Sequence, residues 1–280
     1  MRQTASRFAA QQLKRLVSNV EVERKFYPGP KFASFFLDGD STQLQNQQGQ
    51  VLKSKKSLPF TAVRQPGQLI HDTYYDTGDD GLSKMLGVWV RQRHVSVLPD
   101  NASSILNDNE KGECNAKLRI GGNITDSQHV GIGGKENVSN ELRRLTAEKA
   151  ELKDLEVTAD LQTRRFSWEV THLIDGTPPA AKMTIVLDEV TETNPGEGED
   201  RELPFRLSVG EVELFQQFVT EGVNDEEHER QRKEAATQRM NELEQFMLVN
   251  PKLFKTNPEP MTTLTAYEVW QAVRRLEKVD

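Results

Sequence analysis

The chain of 280 residues has a single cysteine and no long hydrophobic run. Because Cys114 has no second cysteine to pair with, an internal disulfide is excluded, and a reducing compartment is the expected location. No segment reaches the roughly 18 consecutive apolar residues that a membrane-spanning helix requires. We therefore expect no membrane partner.

An excess of positive charge is also missing, since 36 Lys and Arg residues are outnumbered by 43 Asp and Glu residues, for a formal charge of −7. General nucleic-acid binders gain most of their affinity by neutralising phosphates with surplus Lys and Arg. Neither DNA nor RNA is therefore an expected partner. A hydrophobic fraction of 35% still supports a packed core, and we expect a monomer.

The N-terminal segment has no acidic residue before Glu21, but it contains several basic ones. This composition is typical of a mitochondrial transit peptide, and equally of a short basic helix or frayed end that leads into a first strand. We predict a basic extension over residues 1–19 and a single domain over residues 20–280, with loop insertions near 40–66, 99–113 and 194–204. The expected location is the cytoplasm, or the mitochondrion if the extension is a transit peptide.

Polar and apolar residues alternate in short segments that are separated by turn-forming residues. Few of these segments are joined by a helical crossover, so the pattern predicts antiparallel strands. The predicted strands are Val20 to Tyr27, Leu69 to Asp76, Gly87 to Leu98, Cys114 to Ile120, Leu161 to Leu173, Met183 to Val190 and Ser208 to Thr220. The predicted helices are Asn140 to Asp154, Asn224 to Val249 and Leu264 to Lys278.

Charged residues fall on one face of several predicted strands, because side chains two residues apart point to the same side. A solvated face explains any single strand of this kind. Across the series the signs separate, with Glu-x-Glu near both ends and cations between, whereas a solvated face usually interleaves them. The residues are Glu21, Glu23 and Lys25; Arg91 and Arg93 beside Trp89; Lys117 and Arg119; Arg165; and Glu211 and Glu213.

A closed barrel with these faces turned inward explains the separation of signs. Carboxylates would gather on one wall and cations on another, while helices and loops cover the apolar outer faces. Buried charges are costly unless they are paired or bind a metal. A hard cation such as Mg²⁺ prefers carboxylate oxygens, and a polyphosphate prefers Arg and Lys. A metal-bound triphosphate would satisfy both walls.

Six motifs support this interpretation by their order along the chain. They are EVERKFYPGP at Glu21 to Pro30, HDTYYDT at His71 to Thr77, WVRQR at Trp89 to Arg93, AKLRIGG at Ala116 to Gly122, TRRFSW at Thr163 to Trp168 and VGEVEL at Val209 to Leu214. In this order they resemble the motifs of the triphosphate tunnel metalloenzymes, also called the CYTH superfamily, and within it the thiamine triphosphatases. The predicted fold is accordingly α+β and mainly β, with a closed eight-stranded antiparallel barrel, a charged interior and helices packed outside.

The resemblance implies metal-dependent hydrolysis of thiamine triphosphate to thiamine diphosphate and phosphate, with Mg²⁺, or Mn²⁺ in its place, as the cofactor. It implies that the catalytic residues are Glu21, Glu23 and Lys25. The implied metal ligands are Glu21, Glu23, Asp188, Glu211 and Glu213. Asp188 is the additional carboxylate on the metal side, and an ungapped match, shifted by two residues, places Val186 there instead. The implied triphosphate-binding residues are Lys25, Arg91, Arg93, Lys117 and Arg165.

The chain departs from this resemblance in two segments. Thr263 stands where the thiamine triphosphatases usually present a Lys, and QHVGIGGKEN replaces an acidic segment, which leaves Glu136 as its stand-in. The GIGGKE part lacks the residues of a Walker A loop, so we predict a flexible loop there. An inorganic tripolyphosphatase and a non-catalytic polyphosphate or nucleotide-binding module remain alternatives. A thiamine ring would need an aromatic partner, for which Trp89 and Trp168 are candidates.

Overall fold

A computed structural model describes residues 15–36, 60–78, 81–98, 112–122, 126–173, 175–193 and 204–277. Residues 1–14 of the predicted extension lie outside the described residues, as does most of each predicted loop insertion near 40–66, 99–113 and 194–204. Among the described residues, no helix has both the length and the apolar character that crossing a membrane requires.

The described residues form ten strands and five α-helices. The strands are β1 (Arg15–Pro28), β2 (Thr61–Arg64), β3 (Gln68–Asp76), β4 (Val88–Val97), β5 (Glu113–Gly122), β6 (Asp126–Gly133), β7 (Glu156–His172), β8 (Lys182–Glu192), β9 (Arg206–Glu221) and β10 (Phe254–Lys255). The helices are α1 (Pro30–Phe36), α2 (Leu82–Leu86), α3 (Lys135–Leu145), α4 (Asp225–Leu248) and α5 (Thr263–Glu277).

Eight of the strands close into an antiparallel barrel in the order β1-β6-β5-β4-β3-β7-β8-β9. Closure comes from the pairing of β9 with β1, which runs from Arg15 opposite Glu221 to Phe26 opposite Gly210. The short strands β2 and β10 add to β7 and β1 at the margins. The predicted closed eight-stranded barrel, within a mainly β fold, is therefore confirmed.

Strand β6 was not predicted, because its glycines hide the two-residue alternation. The segment that was predicted to be a flexible loop ends this strand and begins α3 instead. Antiparallel ladders to β1 on one side and β5 on the other hold β6 in place. The prediction of a loop was wrong because backbone hydrogen bonds to both neighbouring strands stabilise β6, although its side chains show little of the alternation that is typical of a strand. Without β6 the barrel cannot close.

The main hydrophobic core lies outside the barrel rather than within it. The outer faces of β1, β7, β8 and β9 pack against α1 and α4, and Trp168, Leu214 and Leu243 are fully buried there. Gly210 allows the closest approach in this layer, since a Cβ at that position would lie 2.2 Å from the ring of Phe26. A second apolar cluster joins β4 and β5 to α2 and α3. Because the apolar faces of these strands are buried under helices outside the barrel, their charged faces line the lumen.

Helices α4 and α5 have different relations to the barrel. Helix α4 begins after Asn224, whose side chain accepts a hydrogen bond from the backbone N–H of Glu227, as its predicted capping role requires. Arg24, the one charged residue on the apolar face of β1, pairs with Glu244 of α4 at 2.7 Å. Helix α5 instead packs its Tyr267 against residues of β7 and β8 and so covers one end of the lumen.

Candidate functional site

The barrel lumen contains a cavity of about 130 Å³ that is lined mainly by ionisable side chains. Drug-sized ligands usually occupy pockets of roughly 300–1,000 Å³, so this cavity suits a compact ligand. Its lining residues include Glu23, Lys25, Asp72, Tyr74, Trp89, Arg91, Arg93, Lys117, His129, Arg165, Asp188, Glu211, Thr262 and Thr263.

Carboxylates are concentrated on three adjacent strands, β8, β9 and β1. Glu23 lies directly opposite Glu213 in the β1–β9 ladder, and Glu211 lies two pairs further along, opposite Lys25. One carboxylate oxygen from each of these three residues lies within 4.8 Å of the others. Oxygen ligands this close together are what a hard divalent cation requires, so the residues present fit Mg²⁺ or Mn²⁺.

Cations are concentrated on β4 and β5, on the other side of the lumen. Arg91 and Arg93 project from β4, and Lys117 projects from β5 beside Trp89. The separation into two walls is incomplete, because Lys25 lies among the carboxylates of β1 and Asp72 lies on β3 among the arginines. The lumen therefore contains an acidic region and a basic region, and each includes one residue of the opposite charge.

The two lysines connect the acidic region to the rest of the lumen. The Lys25 ammonium donates to Glu23 at 2.7 Å and to Glu211, its cross-strand neighbour, at 2.5 Å. Lys117 donates to Glu21 at 2.8 Å and to Glu23 at 3.2 Å. Glu23 thus holds both lysines and is the carboxylate shared by the whole acidic region.

The two most regular ion pairs are forked arginine–carboxylate contacts between cross-strand neighbours. Arg93 donates to both oxygens of Asp72, at 2.6 and 2.5 Å. Arg165 donates to both oxygens of Asp188, at 2.8 and 2.6 Å. These two pairs neutralise four of the charged side chains of the lumen within the barrel itself.

Neighbouring charges and burial shift the pKa values of Glu23 and Glu213 in opposite directions. Burial raises the pKa of Glu23, but the ammonium groups of Lys117 and Lys25 outweigh it and hold the pKa well below its usual value. Burial also raises the pKa of Glu213, and the nearby Glu211 carboxylate adds to this effect. Despite the opposing charges of Arg165 and Lys117, the pKa of Glu213 rises to about 8. Without a metal, Glu213 is therefore protonated at neutral pH.

This raised pKa makes the stability of the metal-free protein depend on pH. A carboxyl group whose pKa is about 8 when folded and about 4.3 when unfolded binds a proton more tightly in the folded state. Its stabilising contribution is complete below the unfolded pKa and is lost as the pH rises through the folded pKa, by at most about 1.4 kcal/mol per pH unit. We expect Glu213→Gln, which does not titrate, to be more stable than wild type at pH 8.5 and similar at pH 5.

Urea unfolding at both pH values, with a chelator present, measures this difference. Glu189→Gln is the matched control, because Glu189 projects from the outer face of β8 and its side chain is 40% exposed. We expect the control to follow the wild type at both pH values. Coincident unfolding curves for wild type and Glu213→Gln at pH 8.5, with the same midpoint, would contradict the assignment of the raised pKa.

All of the residues predicted for the site lie on barrel strands, but their neighbours differ. Glu23, Glu211 and Glu213 form the acidic cluster, and Lys25 contacts two of its members. Glu21 lies beside it, linked through Lys117. Arg91 donates to Asn115 at 2.7 Å and lies 3.8 Å from Asp72. On β8, Asp188 pairs with Arg165, and Val186 is a buried apolar residue.

Several residues of the lumen were missed, and two candidates lie elsewhere. Asp72 could have been found by the alternation rule, since it lies between Ile70 and Tyr74 on the inner face of β3. His129 had no signal, because its segment was predicted to be a loop. Glu136, the expected stand-in for an acidic residue, is exposed in the first turn of α3. Trp168 is fully buried in the outer core and cannot reach a ligand in the lumen.

A scan against models of protein families finds no match, and neither does a search of curated proteins. Among solved structures, a protein from Pyrococcus horikoshii is 16% identical, with 80% of this chain and 89% of that chain covered at a TM-score of 0.34. A protein from Bacillus halodurans, described as a proposed adenylate cyclase, is 14% identical, with 79% and 90% covered at a TM-score of 0.34.

Proposed function

We propose that this protein hydrolyses a small triphosphate with the help of a divalent cation, as in the triphosphate tunnel metalloenzymes that its motifs resemble. The observation that carries the proposal is the meeting of opposite charges in one enclosed lumen. Three carboxylates lie within 4.8 Å of one another, and Lys and Arg side chains line the same cavity. A polyphosphate complexed with a metal matches this arrangement, because it presents positive and negative groups to the two regions at once.

The carboxylates are the proposed cation ligands. Glu23, Glu211 and Glu213 would hold the cation at the acidic cluster, with Glu21 and Asp188 beside it. A bound Mg²⁺ or Mn²⁺ would supply positive charge to the phosphoryl oxygens and to the attacking water. The carboxylates would fix the position of the cation and would thereby orient the phosphate that it binds.

Binding would exchange ion-pair partners within the lumen. Arg93 and Arg165 would turn their forks from Asp72 and Asp188 towards phosphate oxygens, which accept the same bidentate contact. Lys25, Lys117 and Arg91 complete the proposed phosphate contacts. The carboxylates and cations of the lumen already pair with one another. A bound metal would therefore release cations that can bind polyphosphate, and a bound polyphosphate would release carboxylates that can bind the metal.

The reaction we propose is transfer of the terminal phosphoryl group to water. Attack of water on the terminal phosphorus breaks its bond to the bridging oxygen and releases phosphate, a diphosphate and a proton. Lys25 lies among the carboxylates, with Glu23 and Glu211 as its partners, and it lines the same cavity as the arginines. It is therefore placed to neutralise charge on the phosphoryl group during transfer, together with the arginines.

Thiamine triphosphate is the first substrate to test, because the sequence motifs resemble those of the thiamine triphosphatases. One observation favours inorganic tripolyphosphate as the second candidate. Trp89 is the tryptophan of the cavity lining, and the Arg119 guanidinium already lies 5.7 Å from its ring centroid. A thiazolium cation stacked on that ring would have a cationic neighbour, whereas an inorganic chain of phosphates needs no stacking partner.

Phosphate release from thiamine triphosphate, tripolyphosphate and ATP, each with Mg²⁺ and with a chelator, tests the proposal. We expect release from thiamine triphosphate or tripolyphosphate with Mg²⁺ and none with the chelator. A preference for tripolyphosphate would favour the second substrate. Binding of these compounds with Mg²⁺ but without any turnover would contradict the hydrolase and favour the non-catalytic binding module.

A further inference from the structure

His129 is an ionisable residue of the cavity lining that the proposed phosphate contacts do not use. It lies on β6 directly opposite Glu21 of β1, and only 5% of its surface is exposed. Its ring lies edge-on to Trp89, with the centroids 5.5 Å apart. The imidazole is thus held inside the lumen at the margin of the acidic cluster.

Within the described part of the chain, only one nitrogen of this imidazole approaches a polar partner. The Nε2 atom lies 3.5 Å from Oε1 of Glu23, which is beyond the usual length of a hydrogen bond. The Nδ1 atom is buried and has no hydrogen-bond partner among the described residues. Buried polar groups are nearly always paired, and leaving one unpaired is unfavourable. The Nε2 atom is the one that faces the acidic cluster, so a ligand bound at the cluster would reach Nε2 rather than the unpaired Nδ1.

The distance between the side chains of His129 and Glu23 suits a cation bound by both better than a direct hydrogen bond. Imidazole nitrogen and carboxylate oxygen bind a divalent metal at about 2.0–2.2 Å. Two such donors at ligand–metal–ligand angles between square and tetrahedral are then about 3.0–3.5 Å apart. The 3.5 Å between Nε2 of His129 and Oε1 of Glu23 lies at the upper end of this range.

We propose that His129 is a nitrogen ligand of the cation that binds Glu23, and that the site therefore prefers Mn²⁺ or Co²⁺ to Mg²⁺. The inference rests on the proposed cation site of the preceding section. Mg²⁺ binds oxygen ligands and retains its waters, whereas imidazole is a good ligand for transition metals. The cation would replace the Lys25 ammonium on Oε1 of Glu23, and Lys25 would then be available to phosphate.

Electron spin-echo envelope modulation of the full chain with one equivalent of Mn²⁺ tests the assignment directly. We expect modulation from a coordinated ¹⁴N nucleus in the wild type, and a change in that modulation when the protein carries ¹⁵N-labelled histidine. The modulation should disappear in His129→Gln and persist in His94→Gln, the matched control. His94 projects from the outer face of β4 and stacks on His71.

Metal titrations supply the second readout. We expect His129→Gln to bind Mn²⁺ about tenfold or more weakly than the wild type, with its affinity for Mg²⁺ little changed. Mn²⁺ that is bound at one equivalent without histidine modulation in the wild type would overturn this inference and leave the proposed hydrolase standing. Absence of Mn²⁺ and Mg²⁺ binding, with or without tripolyphosphate, would overturn both. If His129→Gln does not fold, His129→Asn provides the same comparison, and a wild-type spectrum without histidine modulation contradicts the inference in either case.

Discussion

Replacement of Glu23 by Gln is expected to reduce triphosphate hydrolysis by at least about a thousandfold, because it removes a metal ligand from the proposed catalytic site. Glu23 is the carboxylate that contacts both lysines and that shares the acidic cluster with Glu211 and Glu213. The amide keeps the size of the side chain but loses the charge that would hold the cation. Lys25 and Lys117 retain Glu211 and Glu21 as partners, so the barrel should remain folded.

Phosphate release at saturating Mg²⁺ measures this effect, and circular dichroism with thermal unfolding checks the fold. Glu189→Gln serves again as the control, since it removes a carboxylate from the outer face of the same barrel and should keep wild-type activity. Phosphate release at the wild-type rate from folded Glu23→Gln would remove the proposed catalytic site.

Replacement of Arg93 by Ala is expected to reduce kcat/KM by about a hundredfold or more, because the arginine would neutralise charge that develops on the transferred phosphoryl group. The structure adds a second consequence. Asp72 is 3% exposed and accepts both forks of Arg93, so the single variant leaves a buried carboxylate with only the more distant Arg91 as a cationic partner. Loss of one member of such a pair destabilises a fold by about 3–5 kcal/mol.

The double variant Arg93→Ala with Asp72→Asn separates these two consequences. It removes the isolated carboxylate and should recover most of the lost stability in urea unfolding, while kcat/KM stays low. Arg164→Ala is the control, because Arg164 projects outward from β7 with a side chain that is 58% exposed. If the double variant recovered wild-type kcat/KM, Arg93 would be a partner of Asp72 and not a phosphate ligand.

Self-neutralisation of the lumen explains how so many charges can be enclosed without a ligand. The pairs Arg93–Asp72 and Arg165–Asp188 join residues that are direct neighbours on adjacent strands, so strand pairing itself brings them together. Each pair also holds an arginine guanidinium in the lumen, where it can bind an anionic ligand through two hydrogen bonds.

The acidic cluster shows where prediction from the sequence reached its limit. Alternation identified Glu21, Glu23, Glu211 and Glu213 as residues on inward faces, but it did not say which carboxylates would meet. The β1–β9 ladder places Glu23 opposite Glu213 and Lys25 opposite Glu211. A shift of this register by two residues would keep every side chain inside and yet change every partner.

The sequence by itself determined which faces of the strands are charged and which are apolar, since the period of two is a local property of extended backbone. It also determined the start of α4 at Asn224, because a capping side chain acts within one turn. Only the tertiary structure decided that β6 closes the barrel, that Asp72 joins Arg93, and that His129 enters the lumen. These features depend on ladders between strands far apart in the chain, where backbone hydrogen bonds and closure of the barrel outweigh local preference.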